Sequence, residues 1–185
     1  MGLKSNWAGV LPVVFGLALW GDAALAQDNP ACGNGHLSAN IVPHSIQAAK
    51  GHQAVTIAVQ NRSSSPCVVE GVPEIAFADN VNKPLPVHVC SNCPAYLFPV
   101  LPVETVVLQP RQSAYLVIEY TAMAADEGCR EAATFSMRSA RDGKPVRIHL
   151  GGLRTCGVVD VTPFLAKLPP NGVFPDSEAA EDAQK

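Results

Sequence analysis

The sequence predicts an all-β domain, an immunoglobulin-like β-sandwich of about seven to nine antiparallel strands that is stabilised by disulfides. Short segments alternate apolar and polar residues, which is the pattern of strands with one buried face. The 16 prolines and 14 glycines supply turns between these segments. No segment keeps a helical period over about 12 residues. A closed β-barrel is the alternative fold for this pattern.

The length and charge of the chain limit its class. A chain of 185 residues suits a single domain. The formal charge is only −3, and 16% of the residues are charged. A nucleic-acid-binding domain normally carries a clustered basic face, so this class is disfavoured.

The N-terminus predicts a signal peptide over residues 1–26. Lys4 provides the positive charge, Val10–Trp20 the apolar core, and Ala24-Leu25-Ala26 a small-residue cleavage site. The apolar core is about half of the roughly 20 residues needed to span a bilayer, so no transmembrane segment is expected after cleavage. The mature protein would start at Gln27 and be exported, to the periplasm or the extracellular space. We expect one domain over residues 27–168 and a disordered acidic tail over 169–185.

Two segments show the clearest strand pattern. Val55, Ile57 and Val59 share one face of the first, and in the second Leu116, Ile118 and Tyr120 lie opposite Tyr115, Val117 and Glu119. Asp142-Gly143 predicts a hairpin turn. The proline-rich segment 93–103 is expected to be an extended loop packed on the core. Further strands are predicted over 36–46 (either an edge strand or a strand with a break, because of Pro43), 74–77, 85–90, 105–108, 134–138, 146–150 and 157–164.

All six cysteines lie in the predicted mature chain, and an even number in an exported protein indicates disulfides. Cys32 and Cys67 flank the first predicted pair of strands, and Cys129 and Cys156 flank the later hairpin. These positions predict the pairs 32–67 and 129–156, which leaves Cys90 for Cys93. The last pair closes only a short loop and should stabilise the fold least.

The cluster His88-x-Cys90-x-x-Cys93 could carry chemistry. Thiolate and imidazole ligands suit copper or zinc, although no second pair completes a four-ligand set. The Cys-x-x-Cys spacing also occurs in redox sites, but those place the motif at a helix start, whereas this one follows a strand. The third interpretation is a small structural disulfide in a loop.

Nothing else in the sequence indicates catalysis. Nucleophile-elbow, phosphate-loop and dinucleotide-binding motifs are absent. The acidic residues, including Glu74 and Glu119, show no spacing that indicates an acid–base pair. The other histidines are scattered, and we interpret them as surface or turn residues: His36, His44, His52 and His149.

The order of several short motifs resembles a family. These are Cys32, a turn residue Asn61, Pro66-Cys67, Gly71-x-Pro73, Leu108-x-Pro110-x-x-Ser113-Ala114, Cys129 and Cys156. The pattern resembles the bacterial exported domains grouped as domain of unknown function 4232, over about residues 32–164. Two features depart from it: Arg111 replaces the usual turn glycine, and Cys90 and Cys93 are additional. The resemblance implies a small exported β-sandwich and no assigned activity.

The sequence therefore favours a non-enzymatic exported domain that binds an unknown protein or serves a role in the cell envelope. No cofactor is expected for this function. The alternative is a periplasmic copper- or zinc-binding protein that uses His88, Cys90 and Cys93. A thiol–disulfide oxidoreductase is the third hypothesis.

Overall fold

The computed structural model describes residues 29–121, 129–139 and 145–169. The predicted signal peptide and nearly all of the predicted acidic tail lie outside these ranges. The described part is all-β, apart from one 3₁₀ turn at Asn34–His36, and it contains no helix that could cross a membrane. Its strands are β1 (Leu37–Ile41), β2 (Gln47–Ala49), β3 (His52–Asn61), β4 (Cys67–Glu70), β5 (Glu74–Ala78), β6 (His88–Ser91), β7 (Thr105–Leu108), β8 (Ser113–Thr121), β9 (Arg130–Arg138), β10 (Val146–Thr155) and β11 (Val158–Val161).

The strands form three sheets. The largest has the order β1-β3-β8-β11-β6, with β2 also paired to β3. A second sheet has the order β10-β9-β5, and a third consists of β4 and β7. The pairing of β9 with β10 is the hairpin expected around Asp142-Gly143, whose turn lies outside the described residues.

Two details correct the expected strand arrangement. The described residues contain eleven strands rather than seven to nine, because the region before β3 forms two short strands around a turn at Pro43 and because Cys67–Glu70 forms a further strand, β4. The sheet is also not wholly antiparallel, since β11 runs parallel to β6 at its edge. A parallel pair requires a long connection, and the chain between β6 and β11 supplies one.

One apolar core joins the three sheets. The large sheet contributes Ile57 and Leu116, the three-stranded sheet Phe135, and the two-stranded sheet Val69 and Leu108, all buried in the same cluster. These residues lie at the alternating inward positions of their strands, as the period of two requires. Core packing therefore holds the sheets together.

A second, smaller core lies on the opposite face of the large sheet. Ala54 and Val117 are buried there against Phe98, and Ala95 and Leu97 pack beside them. Phe98 belongs to the proline-rich segment 93–103, which forms no strand and packs against the sheet, as expected. Because this segment covers the sheet, β8 is buried on both faces from Leu116 to Tyr120.

The three disulfides join Cys32 to Cys67, Cys129 to Cys156 and Cys90 to Cys93, as the order of the strands predicted. The first attaches the N-terminal segment to β4. Two backbone hydrogen bonds support it, from the Cys32 N–H to the Val68 carbonyl and from the Val68 N–H to the Pro30 carbonyl.

Asn61 ends β3 and fixes the neighbouring turns. Its buried side-chain amide donates to the carbonyls of Ser65 and Leu108 at 2.9 and 3.0 Å, and its oxygen accepts from the Ser63 N–H at 2.8 Å. Its backbone carbonyl accepts from the Arg111 N–H. Arg111 has a φ of 68°, a conformation that suits glycine.

Candidate functional site

The Cys90–Cys93 turn lies at the edge of the large sheet, where β6 ends. Asn92, between the two cysteines, adopts a φ of 55°. Its backbone N–H donates to the Val161 carbonyl on β11 at 2.7 Å. Its side chain bonds the backbone of Leu101, donating to the carbonyl at 2.8 Å and accepting from the N–H at 3.0 Å. The turn is therefore attached both to the sheet and to the segment that covers it.

The residues of the predicted metal cluster do not all converge. Cys90 and Cys93 are partly exposed and joined to each other. His88 is exposed on β6, in register with Val158. Among the described residues, the donor atoms that gather with the two sulfurs belong to the Asp160 carboxylate, and all three lie within 4.8 Å of one another.

A row of residues crosses the large sheet at this level. Ala54 on β3 is in register with Glu119 on β8, Glu119 with Asp160 on β11, and Asp160 with Cys90 on β6. Side chains in register project from the same face of a sheet. The row therefore runs from the second apolar core, through two carboxylates, to the disulfide.

Glu119 is the buried charge of this row, with 1% of its side chain exposed. One carboxylate oxygen accepts a hydrogen bond from the Tyr96 N–H at 3.0 Å, and the other accepts from the Leu97 N–H at 2.7 Å. His52 Nδ1 lies 2.9 Å from the first of these oxygens. Both oxygens are thus engaged, as a buried carboxylate requires.

His52 completes a small aromatic group above Glu119. Its ring stacks on the Tyr96 ring, with the centroids 4.8 Å apart and an interplanar angle of 20°. The Lys50 ammonium lies 5.6 Å from the centre of the Tyr96 ring, within the range of a cation–π contact. Since 34% of the His52 side chain is exposed, this group borders on solvent.

Asp160 differs from Glu119 in its surroundings. Burial raises the pKa of the Asp160 carboxyl, the Glu119 charge raises it further, and His52 acts in the opposite direction. The Asp160 side chain is only partly buried, and its oxygens are not among the fully buried polar atoms that lack a partner, so the carboxylate keeps contact with solvent.

Sequence reasoning missed Asp160, Glu119 and His52 as members of one cluster. Glu119 occupied an outward position of a predicted strand, and His52 was interpreted as a surface or turn residue. No local spacing could reveal the cluster, because His52 and Glu119 are 67 positions apart and meet only through the pairing of β3 with β8. The Cys-x-x-Cys motif was the one local signal.

A separate apolar groove of about 360 Å³ lies beside the large sheet. It is formed between the end of the covering segment and the chain that follows β11, and it is lined by Leu101, Pro102, Glu104 and residues 164–169. Leu168 is 45% exposed, and Val100 and Val103, which are chain neighbours of the lining residues Leu101 and Glu104, are more than half exposed. Glu104 and Lys167 provide opposite charges in an otherwise apolar lining.

Comparison with known proteins gives one result. No curated protein and no solved structure matches the chain significantly. A family model matches residues 32–165, which include every described strand and all six cysteines. The chain therefore belongs to the family described as domain of unknown function (DUF4232).

Proposed function

We propose that this protein is an exported, non-enzymatic domain that binds a protein partner in the cell envelope through the groove beside Leu168. The groove carries the proposal. Exposed apolar surface that is rimmed by charged residues is typical of interaction sites. Here Leu101 and Leu168 supply the apolar surface, and Glu104 and Lys167 supply the charged groups. The partner would contribute apolar side chains to the groove.

The polar cluster supports a non-enzymatic role. Both Glu119 oxygens are occupied by backbone N–H groups of the covering segment, so this carboxylate holds the fold rather than a substrate. The six cysteines form three disulfides, so no thiol nucleophile is present in this form.

Export is supported by the same disulfides. Disulfides persist in oxidising compartments and are rare in the cytosol. We propose a periplasmic or extracellular location after removal of residues 1–26. We also propose that the sheets form an immunoglobulin-like sandwich, which the single core shared by the three sheets supports. An experimental structure in which the β-sheets do not pack face to face would contradict this fold.

Site-specific photo-crosslinking in intact cells tests the binding role. A photoreactive residue at position 168 should give a discrete crosslinked product, whereas the same residue at Val81, which is 74% exposed and outside the groove, should not. The identified protein must then bind the purified domain, and Leu168→Asp must weaken that affinity at least tenfold. Equal crosslinking at both positions, or unchanged affinity of the variant, would refute the proposal.

Metal binding is the second candidate. The observation that favours it is the approach of the Asp160 carboxylate to both sulfurs of the Cys-x-x-Cys motif. The site would use Cys90 and Cys93, with copper or zinc as the ion. His88 was the third ligand that the sequence indicated. Metal analysis of protein purified without added metal, beside the Cys90→Ser/Cys93→Ser variant, tests this candidate.

A further inference from the structure

We propose that reduction of the Cys90–Cys93 disulfide opens a zinc site whose protein ligands are the two thiolates and the Asp160 carboxylate. This inference is independent of partner binding at the groove. It rests on the metal-binding candidate and deepens it, because it names Asp160 as the third ligand, in place of His88, and makes binding conditional on the redox state.

The geometry suits a tetrahedral metal site. With zinc–sulfur bonds of about 2.3 Å, two thiolates on one zinc ion stand roughly 3.8 Å apart. The two sulfurs and a carboxylate oxygen already lie within 4.8 Å of one another. After the disulfide opens, small side-chain rotations at Cys90 and Cys93 would bring all three donors to bonding distance.

The backbone holds this arrangement in place. Asp160 is in register with Cys90 across the parallel strands, and the Asn92 N–H bonds the Val161 carbonyl at 2.7 Å. The turn is therefore attached directly to the strand that carries the carboxylate. The Asn92 side chain also holds Leu101 by two hydrogen bonds, which keeps the turn folded when the sulfur–sulfur bond breaks.

Asp160 is placed to bind a cation beside the two sulfurs. It is partly buried, and it lies in register with the Glu119 carboxylate on the neighbouring strand. A divalent cation between Asp160 and the thiolates would compensate for these charges.

The ligand set selects among metals. Thiolates bind both zinc and copper(I), but a carboxylate is a hard ligand that zinc accepts and copper(I) does not favour. Three protein ligands leave the fourth zinc position to water. His88 is exposed, and its ring is not part of the group of donor atoms that gathers at the turn.

The redox step is an ordinary thiol–disulfide exchange. A dithiol reductant transfers two electrons and two protons; the Cys90–Cys93 bond breaks, two thiols form, and the reductant becomes a disulfide. Zinc then displaces the two thiol protons. The reductant reaches the Cys32–Cys67 disulfide less easily, because both of these cysteines are buried.

The test uses the mature full-length protein under anaerobic conditions, with zinc added as its chloride salt. Limited reduction by a dithiol is followed by alkylation mapping, which identifies the opened pair. Calorimetry should then show one zinc per molecule in the reduced protein and none in the oxidised protein. Asp160→Asn should weaken the affinity at least tenfold, since loss of even an outer-shell partner of a metal ligand costs about 10–100-fold, whereas His88→Asn should leave it unchanged. Cobalt substitution gives a thiolate charge-transfer band that reports sulfur ligation independently.

Each outcome decides the proposal. Zinc affinity that depends on His88 but not on Asp160 overturns the new ligand set and keeps the metal-binding candidate. Reduced protein that binds no zinc refutes both and leaves the groove proposal intact. If the Cys90–Cys93 disulfide is reduced only when the domain unfolds, the proposal that its reduction opens a zinc site in the folded protein is refuted. The Cys129–Cys156 disulfide could be reduced together with Cys90–Cys93. In that case the zinc titration is repeated in the C129A/C156A variant, where only the Cys90–Cys93 thiols can bind zinc. The same variant with C90S/C93S added is the control that should bind none.

Discussion

Glu119 accepts a hydrogen bond of 2.7 Å from the backbone N–H of Leu97, which lies 22 residues earlier in the chain. A second bond joins the other Glu119 oxygen to the Tyr96 N–H. A buried carboxylate thus substitutes for a neighbouring strand and satisfies the backbone of a segment that forms none. The covering segment, and with it the second core around Phe98, depends on this side chain.

Glu119→Gln should destabilise the domain and release the covering segment. The amide keeps the size of the side chain, but its NH₂ group would face a backbone N–H, at a cost of about 1–3 kcal/mol. Urea unfolding measures the loss, and hydrogen exchange should show reduced protection of the Tyr96 and Leu97 amides. Glu74→Gln is the matched control. Glu74 is 75% exposed and 4.0 Å from Arg138, so this change should cost less than about 0.5 kcal/mol. Equal losses in the two variants would contradict the role of Glu119.

Arg111→Gly should stabilise the protein. Arg111 adopts a φ of 68°, which costs a residue other than glycine roughly 1 kcal/mol. Its backbone N–H and carbonyl are both bonded, to Asn61 and to the Gln60 side chain, so the turn cannot relax. We expect a gain of about 0.5 kcal/mol after the entropy cost of glycine in the unfolded chain. Arg147→Gly, at an exposed position of β10, should instead destabilise by about 0.5–1 kcal/mol in the same unfolding assay. If Arg111→Gly instead lowers the stability, the contacts of the arginine side chain contribute more than the backbone strain costs.

Tyr120 should make stability fall at alkaline pH. Burial raises the pKa of its phenol above the usual 10.0, and the hydroxyl donates to the Gln53 side chain at 2.9 Å. Between the unfolded pKa and the raised folded pKa, the native state holds the proton that the unfolded state releases. Stability is therefore fully present below 10.0 and is lost as the pH rises through the folded pKa.

The comparison with Tyr120→Phe isolates this effect. In that window the wild-type protein should lose up to about 1.4 kcal/mol per pH unit more than the variant. Urea unfolding at several alkaline pH values gives the difference, and the phenolate absorbance of the wild-type protein minus that of the variant gives the midpoint for Tyr120. Parallel stability curves for the two proteins would show that Tyr120 does not contribute.

The stability that each disulfide contributes should increase with the number of residues in the loop that it closes. Their cysteines are 35, 27 and 3 positions apart. On the loop-entropy model, removal of Cys32–Cys67 or Cys129–Cys156 costs about 3–4 kcal/mol each, and removal of Cys90–Cys93 about 2. Double alanine variants, unfolded in urea without reductant, test the order. If the variant without Cys90–Cys93 loses as much unfolding free energy as the other two variants, the turn has a larger structural role than its loop length predicts.

Much of the fold could be predicted from local pattern. The alternation in 54–60 and 113–120 identified β3 and β8, which pair along their whole length. Pro43 and the Asp142-Gly143 turn indicated, respectively, an edge strand or a broken strand and the β9–β10 hairpin. Such features depend on a few adjacent residues, so they are visible without any knowledge of the rest of the chain.

The candidate site could be predicted only in part. The Cys-x-x-Cys motif is local, and its position at the end of a strand was predicted from the sequence. The sequence could not predict that Asp160 lies beside this motif, because the parallel pairing of β6 with β11 joins residues 70 positions apart. The burial of Glu119 could not be predicted for a similar reason. A strand pattern predicts which side chains face away from the core, but not which segment will cover them.

By itself, the sequence determined the all-β class, the main strands, the pairing of the cysteines and the family. These follow from alternation, turn chemistry and the order of motifs along one chain. Only the tertiary structure decided that Glu119 is buried, that Asp160 rather than His88 approaches the two sulfurs, and that β8 is covered on both faces. Each of these depends on which distant strands become neighbours, and pairing between strands is set by the packing of the whole core rather than by any local pattern.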